Sequence, residues 1–296
     1  MGLGALLLSV LLTSCTSKIA YDNLDWLAVR WVDRQINLDK DQRELVSQHV
    51  AAQQQWHCAT QLKSYEAWLE QIRLDLLSNR IDRDQLVGYG DEMAEFIETL
   101  AERLAPMLVD LASSLDDQQV ESALAELDER IEKLRDEIQT RSSEQWAVDR
   151  VEGMERRLKR LMGPLNPQQR QRLERWAQDI VPTHEYQLVQ RLYWRERIEQ
   201  ALERRGDVDF LTLEVDALLD PAAVWPRGYQ QAMKTNRTLT LDALTDLVKL
   251  IEPQQKNRVS ARLSRLRNDF HRLSCEGKAP PTLLASTASG RPGSAR

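Results

Sequence analysis

Apolar side chains recur every three or four positions along nearly the whole chain. Leu24, Leu27, Ala28, Trp31, Val32 and Ile36 share one helical face, and Leu86, Tyr89, Met93, Phe96, Ile97, Leu100, Leu104 and Leu108 share another. From Val120 the apolar positions Leu124, Leu127, Ile131, Leu134 and Ile138 alternate gaps of four and three between charged residues, the spacing of a coiled-coil-like seam. That period falters at Arg141-Ser142-Ser143. It resumes out of phase at Ala147, Val151, Met154, Leu158 and Leu161 until Gly163-Pro164 stops it, so a helix break is expected. Further helices are predicted over 167–181, 183–205, 209–219, 228–250 and 253–274, and Pro106 should kink or end the helix that contains it. No stretch shows the alternation of a strand. The expected fold is all-α: residues 21–275 form a multi-helix bundle that includes a long coiled-coil-like segment, with room for two lobes hinged near 141–165.

Five of the expected helix starts carry one local pattern: Leu38-Asp39-Lys40-Asp41-Gln42, Ile81-Asp82-Arg83-Asp84-Gln85, Leu115-Asp116-Asp117-Gln118-Gln119, Leu165-Asn166-Pro167-Gln168-Gln169 and Ile251-Glu252-Pro253-Gln254-Gln255. An Asp or Asn side chain at the N-cap can accept from the amide three residues on, while Gln there reaches back to the N-cap amide. Pro167 and Pro253 fall at the first helical position, where a missing N–H costs nothing. The uneven intervals between the five exclude a regular solenoid, and helix initiation accounts for all of them.

The two chain ends depart from the helical pattern. Residues 1–14, MGLGALLLSVLLTS, are uncharged and too short to span a bilayer, and they read as a signal peptide. They end in Leu12-Thr13-Ser14-Cys15, which resembles the lipobox of bacterial lipoproteins. The resemblance implies cleavage before Cys15, acylation of that cysteine with palmitate among its chains, and a short tether over 15–20. Thr16 stands where inner-membrane lipoproteins carry Asp, which implies the inner leaflet of the outer membrane, facing the periplasm. The leader lacks the usual Lys or Arg, a departure from the signal-peptide pattern. At the other end, residues 276–296 are rich in Pro, Gly, Ser, Thr and Ala and are expected to be a disordered tail.

Two wider resemblances follow. The lipobox, Tyr21-Asp22-Asn23-Leu24-Asp25-Trp26, the first Gln motif, Trp56-His57, Arg103-Leu104-Ala105-Pro106 and Gly163-Pro164-Leu165 to Gln169 occur in an order that resembles an uncharacterised helical lipoprotein family of proteobacteria, a domain of unknown function. The L-x-x-x-Q spacing is also similar to the LTxxQ motif of small periplasmic stress chaperones, which are all-helical and bind unfolded clients on a concave surface. That second likeness implies a protein client drawn from the envelope.

In an oxidising periplasm the two remaining cysteines, Cys58 and Cys275, are expected to form a disulfide closing a loop of 217 residues and tying the second helix to the last; two buried free thiols are the other reading. The four histidines show no metal-ligand spacing, and there is no Gly-rich phosphate loop or nucleophile elbow, so no metal, cofactor or enzymatic activity is expected. The most distinctive cluster is Trp56-His57-Cys58 with Tyr65 and Trp68, and Trp31 close by. It reads either as an aromatic ligand pocket with His57 as its polar group or as a core flanking the disulfide.

Composition sharpens this picture through charge. Over 296 residues, 29% are charged and the net charge is −6. Residues 66–149 hold 8 basic and 22 acidic side chains, residues 150–205 hold 13 basic and 8 acidic, and residues 253–272 hold 6 basic and 1 acidic. These segments either pair with one another or present opposed faces. Exposed Arg156, Arg157, Lys159 and Arg160 could contact lipid phosphates or acidic clients, whereas the expected compartment excludes nucleic acid. The expectation is thus a non-enzymatic outer-membrane lipoprotein, membrane-bound through Cys15, that binds envelope proteins or lipids. An envelope hydrolase with two converging carboxylates and a purely structural spacer are the alternatives.

Overall fold

The computed structural model describes residues 16–275, with side chains from Lys18 onward. Residues 1–15, which include the expected signal peptide and Cys15, and residues 276–296, expected to be a disordered tail, lie outside the described residues. The chain runs α1 (Thr16–Asp22), α2 (Leu24–Ile36), α3 (Lys40–Trp56), a π-helical turn (His57–Gln61), α4 (Leu62–Leu77), α5 (Arg83–Ser114), α6 (Asp117–Thr140), α7 (Ser143–Met162), α8 (Pro167–Asp179), α9 (His184–Glu203), α10 (Val208–Leu219), a 3-10 turn (Pro221–Val224), α11 (Arg227–Lys249) and α12 (Pro253–Leu273). The fold is all-α, and no strand occurs among the described residues.

Local chemistry sets most of these boundaries. All five Gln motifs form complete capping boxes, and Ser142 with Gln145 forms a sixth at the expected break between α6 and α7. Pro106 does not end its helix: α5 continues to Ser114, and the carbonyl that Pro106 leaves without a helical donor belongs to Glu102, which is exposed to solvent. The segment expected as a tether is helical from Thr16 and packs on α12.

Four of the five motifs do more than cap. Gln42 at the start of α3 and Gln119 at the start of α6 face each other, buried, and exchange amide hydrogen bonds of 2.9 and 2.6 Å. Gln42 Nε2 also donates to the Ser114 carbonyl, and Gln119 Nε2 to that of Asn37. Gln169 at α8 and Gln255 at α12 repeat the arrangement with bonds of 2.8 and 2.9 Å, plus donation to Leu250 and Pro164 carbonyls. Each clamp thus joins two helix starts to the ends of the helices that precede them. The motif at Asp82–Gln85 stays exposed and caps α5 only.

Each clamp sits on a hydrophobic core. Leu38, Val46, Val50, Leu111 and Leu115 form one core, joined by Leu202 of α9. Leu158, Met162, Leu173, Trp176, Ala177, Ala243, Leu247 and Val259 form the other, joined by Leu76 of α4. Both cores therefore draw on residues from both sides of 141–165. The longest helix pairing runs α12 along α4, from Lys256 Nζ on the Leu77 carbonyl, through Arg267 on Glu70 at 2.8 Å and His271 on Glu66 at 3.2 Å, to the disulfide.

Candidate functional site

Three regions carry unusual chemistry. The first lies at the disulfide end of α4. The π-turn lets the amide of Leu62 bond the carbonyl of His57, five residues back, and the extra residue turns Cys58 inward toward α12. Cys58 and Cys275 are bonded, with Cα atoms 5.2 Å apart, and the Cys275 amide donates to the Cys58 carbonyl. His57 packs between Tyr21 and Tyr65, at ring-centroid distances of 5.9 and 5.4 Å, and Tyr65 meets Phe96 and Phe270. Trp68 packs edge-on against Phe96 with a buried indole N–H that has no partner among the described residues. Trp56 is half-buried under Arg103, whose guanidinium lies 4.7 Å from its ring. Trp31, expected near this cluster, is instead exposed on α2.

The Tyr21 hydroxyl bridges His57 Nδ1 at 3.0 Å and the Gln54 carbonyl at 3.3 Å. Burial raises the Tyr21 phenol, keeping it protonated, and lowers His57 to about 4. Between the ordinary imidazole value of about 6.5 and that lowered one, the unfolded chain takes a proton that the folded chain refuses, so stability falls with pH across this window. The expected loss between pH 7 and pH 4 is on the order of 3 kcal/mol. Urea midpoints for the wild type and His57→Asn check it: the variant should lose the part of the slope that His57 carries, and identical pH profiles would reject the assignment.

The second region is cationic. Arg156 pairs with Glu152 at 3.3 Å, while exposed Arg157, Lys159 and Arg160 have no ion pair among the described residues. Lys159 joins Arg258, Arg262 and Arg265, spaced along one face of α12, around a hollow of about 310 Å³. Gly163 makes room for them. It sits at φ 92°, and a Cβ there would collide with the Arg258 guanidinium. Elsewhere the basic segment does pair with the acidic one, through Arg195 with Asp128 and Arg205 with Asp117. Both charge readings therefore hold in part, since Glu92, Glu95, Glu98 and Glu102 on α5 are left without ion pairs among the described residues.

The third region is a cleft of about 500 Å³ where the α6–α7 break meets the start of α9. Trp146 stacks on His184 with centroids 3.7 Å apart, and Arg141 lies 5.0 Å from the indole ring. Burial lowers the His184 pKa first, with Arg150 and Arg141 adding to the shift, so the imidazole is held neutral beside two permanent cations. Arg150 is fixed by the Ala177 carbonyl. Tyr186 closes one side, stacked on Tyr229 at 5.4 Å; it passes so close to Gly228 that a Cβ would lie 2.5 Å from its hydroxyl. Val189 on the rim begins an exposed apolar strip with Leu192 and Tyr193 on α9. Sequence reasoning missed this site, because Trp146 and His184 are isolated residues in separate segments.

The most buried carboxylates, Asp269 and Asp75, are each tied to an arginine. Hydrogen bonds from Tyr89 and Gln71, ahead of Arg80, hold Asp75 below the usual carboxylate range, as an anion unsuited to donate a proton. No cluster of His, Cys, Asp and Glu among the described residues could hold a metal ion.

A family model described as a family of unknown function (DUF6279) matches residues 34–230, which span the cleft, both residues of the first clamp and Gln169 of the second. No curated protein and no solved structure matches the chain.

Proposed function

We propose a function for this chain, which belongs to the family of unknown function DUF6279: it is a lipid-anchored, non-enzymatic binding protein of the bacterial envelope that holds segments of protein clients at the cleft between α6, α7 and α9. The observation that carries this reading is the cleft itself. Its Trp146–His184 stack and the Val189–Leu192–Tyr193 strip supply the exposed apolar surface that an unfolded client requires, and Arg150, Arg141 with its partners Glu137 and Asp149, and Glu185 border it with charge of both signs. The lipobox resemblance at Cys15 supports the anchor, and Thr16 supports the outer-membrane assignment.

Full-length chain carrying Cys15→Ala should suppress aggregation of a denatured client at near-stoichiometric ratio, less so as salt is raised. Adding Trp146→Ala and Val189→Ser should remove most of that effect while leaving helicity intact. Unchanged aggregation at several-fold excess of unmodified cleft would overturn client binding. For the anchor, Cys15→Ala should abolish incorporation of labelled palmitate. Equal labelling of the variant rejects acylation at Cys15, and recovery of the wild type in inner membranes rejects the reading of Thr16.

A further inference from the structure

Helix α2 has a third face that neither the core nor the ion pairs use. Leu24, Ala28, Val29, Val32 and Ile36 pack into the core formed with α3 and α5. Its acids turn toward α3, where Asp25 accepts from Ser47 and Asp33 pairs with Arg43 at 3.0 Å. What remains is Trp26, Leu27, Arg30, Trp31 and Arg34, one stripe at helical spacing. Trp26 is 55% exposed and Trp31 42%, and Ile19 of the preceding helix is 66% exposed. Arg30 lies over the Trp26 ring at 5.4 Å, and neither Arg30 nor Arg34 has an ion pair among the described residues.

We infer that this face of α1 and α2 lies in the headgroup region of a phospholipid bilayer, with Trp26, Leu27 and Trp31 entering the interface and Arg30 and Arg34 meeting lipid phosphates. Indole rings favour that depth because one edge is apolar and the N–H stays wet. The arginines place their apolar stems beside the rings and their charge at phosphate level. Charge decides between a bilayer and a second copy of the chain. A two-fold contact would set the unpaired arginines of one α2 against the same arginines of the other, whereas anionic lipid neutralises them. Position agrees: helix α1 begins at Thr16, next to Cys15, so an acylated Cys15 would hold Trp26 within about 17 Å of the bilayer surface and Arg34, at the far end of the face, within about 29 Å. The placement rests on the anchor proposed above, but the chemistry of the face does not.

The test uses vesicles of phosphatidylethanolamine and phosphatidylglycerol containing brominated lipid, with the full chain carrying Cys15→Ala. The leader then contributes equally to every arm. Tryptophan emission should be quenched on binding, and Trp26→Ser with Trp31→Ser should weaken binding about tenfold and remove most of the quenching. Trp194→Ser, on another helix, should change neither. Arg30→Gln with Arg34→Gln should weaken binding to these vesicles but not to pure phosphatidylcholine. Circular dichroism checks that each variant is folded. Binding and quenching that survive the double Trp variant overturn the inference, as does a stable dimer that this variant dissociates without loss of vesicle binding. Absent palmitate labelling with Trp-dependent vesicle binding would overturn the anchor alone.

Discussion

Gln169→Ala is expected to destabilise the fold by about 3 kcal/mol, against about 1 kcal/mol or less for Gln85→Ala, although both residues occupy the same place in the same motif. Gln169 is fully buried. Its Oε1 accepts from the Asn166 amide and from Gln255, and its Nε2 donates to the Leu250 carbonyl and back to Gln255. Alanine strands the buried Gln255 amide and leaves the half-buried Asn166 amide and Leu250 carbonyl without these partners, and unsatisfied buried groups bear the desolvation cost. Gln85 is partly exposed and returns one bond of 3.2 Å to Asp82, which water can replace. A double variant, Gln169→Ala with Gln255→Ala, should cost clearly less than the two single changes added together, because the second removal deletes groups already unpaired. Urea denaturation of the wild type, the three single variants and the double variant checks this. Equal costs at Gln85 and Gln169 would reduce the clamps to ordinary caps.

These motifs also show what can and cannot be read from the chain. All five announce themselves as helix starts because capping is local, settled by a side chain and an amide three residues apart. Their pairing is not local: Gln42 meets Gln119 across 77 residues and Gln169 meets Gln255 across 86. One signal was present, since two Gln motifs separated by similar long intervals occur twice. It could not exclude Gln85, whose motif is equally well formed. Helix boundaries from α6 to α12 follow the periodicity within a few residues because Gly163-Pro164, Pro167 and Pro253 punctuate them. The π-turn at His57 leaves no such mark, since its residues continue a helical pattern. The cleft is the least legible feature. Trp146 reads as a single aromatic on α7 and His184 as a single histidine near the start of α9, and only packing stacks them.

Removing the disulfide should have the largest effect of any single covalent change. Cys58→Ser with Cys275→Ser frees a loop of 217 residues, and the chain-entropy estimate puts the loss at up to about 5 kcal/mol. The α4–α12 interface should open first, because Leu62, Leu69, Phe270 and Leu273 form a small core of their own beside the bond. Thermal unfolding with and without reductant measures the effect: the wild type should lose much of its stability on reduction, and the double variant should be indifferent to reductant. Alkylation should label neither cysteine until the protein is reduced. Free labelling of both thiols in the untreated protein would reject the bond.

The α4–α12 pairing also sets an order of events during synthesis. Helix α4 emerges early and must wait for almost the whole remaining chain before α12 arrives to cover it. Until then Leu62 and Leu69 have no Phe270 or Leu273 to pack against, and Cys58 is an unpaired thiol. The only other cysteine available in that interval is Cys15, upstream. Within the chain made by then, a disulfide at Cys58 could form only with Cys15. Acylation of Cys15 takes its sulfur out of that competition, so on the proposed anchoring the lipid does more than hold the protein to a membrane: it leaves Cys58 a single partner.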